Sequence, residues 1–319
     1  MALFDAFEDD LDDVAARCES PDPGVRRVAM MELAESVEAG AVALLLRGLS
    51  DADPQVRAAA VRALDEHDGS QVIEDLVRAL EDLDPEVRKA AAGVLADKKE
   101  PGCAALLIER TSHADPFVQA AALRALRDLV LPEALGPALQ ALHSPSPEVR
   151  REGLGVIGYL KSDSALPALV RAASDPDASV RRATMAALVF LNPHGPGVST
   201  LLAGLEDENW QVREQAAASI GKVRLPAATD RLIAAMTDPV WQVRTKVANA
   251  LGRIRAKAAV EVLGEALGSE VSNLRKEAAA ALGEIADPRA RARLERCADD
   301  PDPDARKLVR WAIERCRAG

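Results

Sequence analysis

An all-α fold built from about ten copies of a two-helix unit is predicted by three features of this 319-residue sequence. The first is composition. Ala, Leu, Val, Arg and Glu dominate, β-branched runs are scarce, and three Trp, one Tyr and four Phe are the only aromatics, a balance that favours helix throughout. The second is a register: Arg26, Arg57, Arg88, Arg150, Arg181, Arg213, Arg244, Arg275 and Arg306 recur every 31 residues, with one step of 32 before Arg213 and Gln119 filling the gap after Arg88. A fixed period in this range fixes the architecture, because each repeat is a unit that cannot bury its faces alone and must stack on its neighbours. The third is a grammar repeated in every period: an apolar helix such as "QVIEDLVRAL", a turn such as "EDLD", and a second helix such as "PEVRKAAAGVLA". Ten periods cover the chain, so a single domain over 1–319 is expected, with caps at about 1–19 and 288–319.

Each element follows from local chemistry. Asp22, Asp53, Asp84, Asp115, Asp177 and Asp302 stand four residues before the register position, placed to accept the free N–H groups that open the second helix. Pro23, Pro54, Pro85, Pro116 and Pro303 follow them at the first helical position, where the missing N–H costs nothing and the fixed φ is already helical. Counting the register arginine as zero, positions −1, +3, +4, +7 and +10 are mostly Val, Ala, Leu and Ile, an apolar stripe at helical spacing that marks the core. Small pairs such as Ala216–Ala217 let neighbouring helices approach closely. Phe4 and Phe7 are expected to dock on the first core, Asp9, Asp10, Asp12 and Asp13 to keep the outer face soluble, and Trp311, at +5 of the last period, to cap the far end.

The stretches "DADPQVRAAAVRAL" and "DLDPEVRKAAAGVL" resemble the short HEAT-like repeat first recognised in phycobilisome lyases, and the resemblance spans 1–319. It implies a right-handed α-solenoid whose second helices line a concave groove. Its functional implication is broad, since such repeats serve as scaffolds, adaptors, chaperone-like factors and a few enzymes, and fold alone assigns no activity.

The arginine column has two readings, a phosphate-binding ladder or structural lacing. Lacing is favoured by Asp51, Asp82, Asp175, Asp207 and Asp238, which lie six residues before the register and offer turn carboxylates in the same or the next unit. The break at Gln119, where His113 replaces the acid, changes both partners together.

If the stripe is core, function belongs to positions −3, −2, +1, +2, +5 and +9 of the second helices. Trp210 and Trp241 take −3, where most units carry proline; Phe117 takes −2; Tyr159 and Phe190 take +9. Five aromatics in five adjacent periods, with none at core positions of those helices, point to a binding surface rather than packing. The +9 series runs Glu35, Glu66, Asp97, Asp128, Tyr159, Phe190, Lys222, Arg253, Glu284, acidic, then aromatic, then basic. Lys222, Lys246 and Arg253 form the basic limb, and Gln211, Gln215, Gln242 and Asn249 add hydrogen-bonding groups beside the tryptophans. Such a surface suits a protein or peptide segment of mixed charge.

Other classes find little support. A net charge of −11 disfavours nucleic acid and anionic lipid as general partners. No apolar run reaches the roughly 20 residues of a spanning helix, and "MALFDAFEDDLDD" is unlike a signal peptide, so a cytoplasmic location is expected. Cys18, Cys103, Cys297 and Cys316 form no CxxC pair and read as small core residues or free thiols; His67, His113, His143 and His194 share no metal-ligand spacing. No phosphate-binding glycine loop or nucleophile motif is present, and "GLGVIGYL" reads as close packing inside a helix. The expectation is a non-enzymatic scaffold without cofactor that binds a protein segment. The resemblance implies an alternative, a bilin lyase-like subunit or chaperone-like maturation factor holding a tetrapyrrole or its acceptor protein.

Overall fold

The computed structural model describes residues 11–36, 40–190 and 197–318, with the side chains of Pro101, Phe190 and Ala318 excepted. Phe4, Phe7, Asp9, Asp10, His194 and the side chain of Phe190 therefore lie outside the described residues. The described chain is helical from end to end and divides into two compact units, 1–160 and 161–319, each of five helical hairpins.

The first unit contains α1 (Leu11–Cys18), α2 (Pro23–Glu32), α3 (Ala41–Gly48), α4 (Pro54–Ala63), α5 (Ser70–Ala79), α6 (Pro85–Asp97), α7 (Ala104–Arg110), α8 (Pro116–Arg127), α9 (Leu135–Ala141) and α10 (Pro147–Leu160). The second contains α11 (Leu166–Ala172), α12 (Ala178–Ala187), α13 (Gly197–Gly204), α14 (Trp210–Val223), α15 (Thr229–Ala235), α16 (Trp241–Ile254), α17 (Val260–Ala266), α18 (Ser272–Ile285), α19 (Arg291–Arg296) and α20 (Pro303–Ala318). Even-numbered helices are the second helices of the hairpins. Within each unit they pack side by side in a row, each on the one before, while odd-numbered helices touch one another more sparsely.

Helix starts follow the capping logic. Asp22, Asp53, Asp84, Asp115 and Asp177 accept backbone N–H groups from their own first turns, and Asp302 does the same for Asp304 and Ala305. In α14 the cap is Asn209, and α16 and α18 begin after Val240 and Val271, which supply no side-chain cap. Asp238 Oδ1 takes the Val240 N–H at 2.8 Å instead. Helix ends depart from the usual chemistry. Lys161, Arg224, Arg255 and Ala286 directly follow α10, α14, α16 and α18 in the left-handed region at φ between 50 and 57°, without the glycine that usually marks such an end, and Val130, three residues beyond α8, shares that conformation.

The core is the expected stripe. Val56, Val87, Val118, Val149, Val180, Val212 and Val243, all at −1, are fully buried, with Leu64, Leu95, Leu126, Ile157, Ile220, Leu251 and Leu282 at +7 beneath them. Val25 is the exception at −1 and is partly exposed, because no second helix precedes α2 among the described residues. In the second unit the row is drawn together by glycine. A Cβ on Gly221 would stand 2.9 Å from the Ala250 Cα, and one on Gly252 2.7 Å from the Ala281 Cα, so α14, α16 and α18 meet backbone to backbone. Gly153 does the same against the Ala138 carbonyl and Gly155 lies against the Arg127 side chain, so these two glycines of "GLGVIGYL" are packing. On α20 the indole of Trp311 occupies the space a side chain at Gly283 would need, in keeping with a capping role.

Candidate functional site

The arginine column is structural lacing, and its geometry is more specific than sequence allows. In a complete rung the register arginine faces two ways. Nη1 donates to the carbonyl six residues earlier in its own turn, as in Arg57 to Asp51 (2.9 Å) and Arg213 to Asp207 (2.8 Å). Nε and Nη2 donate together to the carboxylate of the next unit: Arg26 to Asp51, Arg57 to Asp82, Arg181 to Asp207, Arg213 to Asp238 and Arg275 to Asp300, at 2.6–3.1 Å. The same carboxylates accept a backbone N–H two residues on, so each ties three parts of the chain together. The arginines hold the carboxyls of Asp51 and Asp300 below their ordinary value; at Asp82, Asp207 and Asp238 burial pulls the other way, but the arginine and backbone donors prevail.

The irregular unit rearranges rather than simply losing a rung. Gln119 Nε2 donates to the His113 carbonyl at 2.6 Å, replacing the arginine's backbone contact, and His113 Nδ1 accepts the Asp115 N–H at 3.1 Å, replacing the acid's. Arg88 has no acid at position 113 to meet. It swings to Asp115 (2.5 Å) and lays its guanidinium over the Phe117 ring, 4.5 Å from the centroid. A second break lies where the sequence register is intact. Arg244 faces Ser269 where six of the units place an acid, and holds only the carbonyls of Asp238 and Pro239.

The lacing occupies the turns and leaves the remaining second-helix positions free. In the second unit Trp210 and Trp241 are the first residues of α14 and α16, both half-buried, at equivalent places on two helices in backbone contact. Their indoles start from backbones about 8–10 Å apart, the spacing of tightly packed helices. Gln211, Lys222, Lys246 and Arg253 are exposed and Gln242 half-buried. Two of the polar residues lace helices instead: Gln215 donates to Ser219, which reaches the Met185 carbonyl, and Asn249 donates to Glu277 Oε1 at 2.7 Å. In the first unit Tyr159 is 47% exposed, with Arg127 5.6 Å from its ring centroid, while Phe117 is half-buried beneath Arg88.

The geometry adds residues that sequence reasoning passes over. Arg224 and Arg255, at the left-handed helix ends, join Arg253 and Asn249 around a cleft of about 380 Å³. The repeated "GKVR" and "GRIR" are the available signal. A larger cleft, about 880 Å³, lies elsewhere, over α4 between α2 and α6. Its signal is the pair Ala58–Ala59 at +1 and +2, where the units of α10, α14 and α16 carry Arg151–Glu152, Glu214–Gln215 and Thr245–Lys246. No helix of the described residues is long and apolar enough to cross a membrane, and among them no His, Cys, Asp and Glu gather as a metal site.

Comparison with known proteins places the architecture. The sequence profile of HEAT repeats matches residues 11–82, 73–137, 135–197, 198–270 and 229–314. No curated protein matches the chain. Among solved structures, an engineered protein is similar over 97% of this chain and 99% of its own, at 22% identity and a TM-score of 0.52. A structure of Kap95p with RanGDP is similar over 97% of this chain at 14% identity and a TM-score of 0.69, and importin beta over 96% at 15% and 0.58. The chain spans about half the length of these last two, 51% and 55%.

Proposed function

The chain belongs to the HEAT-repeat family, and from that premise we propose that it is a protein-interaction scaffold that binds a protein segment along the exposed face of its second helices, with Trp210 and Trp241 as paired anchors. The observation that carries this is the placement of the two indoles. Both stand where six other second helices begin with proline, both keep part of their surface in solvent, and both sit on neighbouring helices of the tightest-packed row. Proline at that position serves the helix start alone; tryptophan adds a large, stiff apolar surface of the kind that dominates binding energy at interfaces.

Exposed Lys222, Lys246 and Arg253 sit along the same helices and suit acidic side chains flanking an apolar anchor. The closer packing of second helices than of first helices within each unit favours a concave face for this row, which gives a bound segment more contact than a flat one. Kap95p, whose structure with RanGDP shares the fold, offers a precedent for such arrays binding protein. Phe117 and Tyr159 give the first unit an apolar surface of its own.

The test is affinity capture with wild type and the Trp210→Ala/Trp241→Ala variant side by side, followed by titration of each captured protein against both. Loss of about 2 kcal/mol or more per indole is the hot-spot expectation, with far-UV circular dichroism and melting unchanged. A variant that melts far lower would make the indoles packing residues and remove the proposed site.

A further inference from the structure

The cleft over α4 is independent of the two tryptophans, and its walls have a definite chemistry. Its floor is Ala58, Ala59 and Ala63, whose small side chains create the depth; Met31 of α2, 61% exposed, forms an apolar side. Val28, one turn before Met31 on the same helix, is also exposed. Arg27 donates to Gln55 at 2.8 Å and closes one wall between α2 and α4. Asp84 is committed to capping α6.

Two charges remain. Arg62, near the end of α4, and Glu86, in the first turn of α6, both line the cleft, and among the described residues neither has a hydrogen-bonding or ion-pair partner. Second helices run in the same direction, since each is separated from the next by one antiparallel first helix. Arg62 is the ninth residue of its helix and Glu86 the second of its own, an offset of about 10 Å along the axis at the helical rise. With about 9 Å between neighbouring axes, the two backbones stand roughly 13 Å apart. That is about four residues of extended chain.

We propose that this cleft binds a peptide segment of a partner protein in which an acidic and a basic residue stand about four positions apart with aliphatic side chains between them. The acid pairs with Arg62, the base with Glu86, and the aliphatics fill the alanine floor against Met31. The charges set the direction of the segment and the floor supplies most of the contact.

Phage-displayed random dodecapeptides, selected on the full chain, test this while the partner protein is still unidentified. The counter-target is Ala58→Glu/Ala59→Gln, which fills the floor with the pair that α14 carries at the same register as Glu214 and Gln215, so a second helix of this array accepts it. Circular dichroism confirms that each variant is folded. The expected result is a family of peptides with the acid–aliphatic–base pattern whose affinity falls about tenfold or more on the filled variant, the loss of a central anchor. On Arg62→Glu/Glu86→Arg, selection should return the pattern with acid and base exchanged. Peptides that bind the filled variant equally well, that carry no charge pair, or whose binding is lost instead in Trp210→Ala/Trp241→Ala would overturn the proposal.

Discussion

The missing rung at Arg244 can be built. Ser269→Asp places a carboxylate where Asp238 and Asp300 stand in the neighbouring turns. The site is prepared for it. Ser269 Oγ already accepts the Val271 N–H at 3.2 Å, the bond that Asp238 makes to Val240 at 2.8 Å, and Nε and Nη2 of Arg244 have no acceptor among the described residues. In the five rungs described above both side chains are only 5–16% exposed, so the pair forms out of bulk water but not in a dry interior. A bidentate, charge-assisted bond is worth about 1.5–3 kcal/mol. Ordering the arginine and desolvating the new carboxylate take back part of that, as measured surface pairs indicate. The net expectation is about 1 kcal/mol of added stability.

Differential scanning calorimetry reads this as a rise of about 2–4 °C in the transition that contains α16 and α18, given a cooperative unit of this size. Hydrogen exchange should show the gain confined to the turns before those helices, because repeats couple mainly to neighbours. The control is the same substitution in an Arg244→Met background, where the gain must vanish. A melting point unchanged or lowered by Ser269→Asp, or a gain that survives Arg244→Met, would refute the account of the lacing.

Other outcomes follow from the same geometry. Ala286→Gly relieves a left-handed residue at φ 54° whose N–H already closes the helix, and should add about 1 kcal/mol in urea denaturation. Gly252→Val drives a side chain into the backbone of Ala281 and should cost about 1–3 kcal/mol, read the same way. Phe117→Ala removes the ring beneath Arg88 and should lower the melting point, whereas Tyr159→Ala, on an exposed ring, should leave it within a degree or so. Acid should unfold the protein through its turns. The carboxyls of Asp51, Asp82, Asp207, Asp238 and Asp300 are depressed from 3.8, and Asp287, held by Arg289, and Asp302, held by Ser272 and backbone N–H groups, lie at about 2. Groups depressed on folding stabilise above their unfolded value and lose that stability as pH falls through the folded one, so the melting temperature should hold above about pH 5 and drop steadily towards pH 2. A flat profile there would deny the carboxylates their role.

Sequence carries the architecture because the repeat states the same local chemistry again and again. Asp at −4, Pro at −3 and Val at −1 act within one turn of helix, so each can be read without knowing the rest of the fold. The pairing of Arg213 with Asp238 is half legible: the residue types are plain, but whether the acid comes from the same turn or the next depends on how hairpins stack. The substitution at His113 misleads for a related reason. Its apparent partner, Gln119, is a neighbour in its own turn, and the residue truly displaced is Arg88 from the unit before. Left-handed ends at Arg224 and Ala286 give no signal, since packing imposes a conformation there that these residues do not prefer.

The candidate site is legible as a register and not as a shape. In α4 positions −3, −2, +1, +2 and +5 line a cleft, but a sequence displays its large residues, and depth comes from small ones. Ala58 and Ala59 look like core in a sequence because alanine also fills the stripe, and they are nearly buried in the structure. They differ from other core alanines in lining a cleft. Because the arginine lacing and the Val–Leu stripe hold the array without using these positions, the face can alternate bulk and space at little cost to the fold. Tryptophan at −3 in α14 and α16 and paired alanines at +1 and +2 in α4 are two uses of that freedom, one adding bulk and one leaving space.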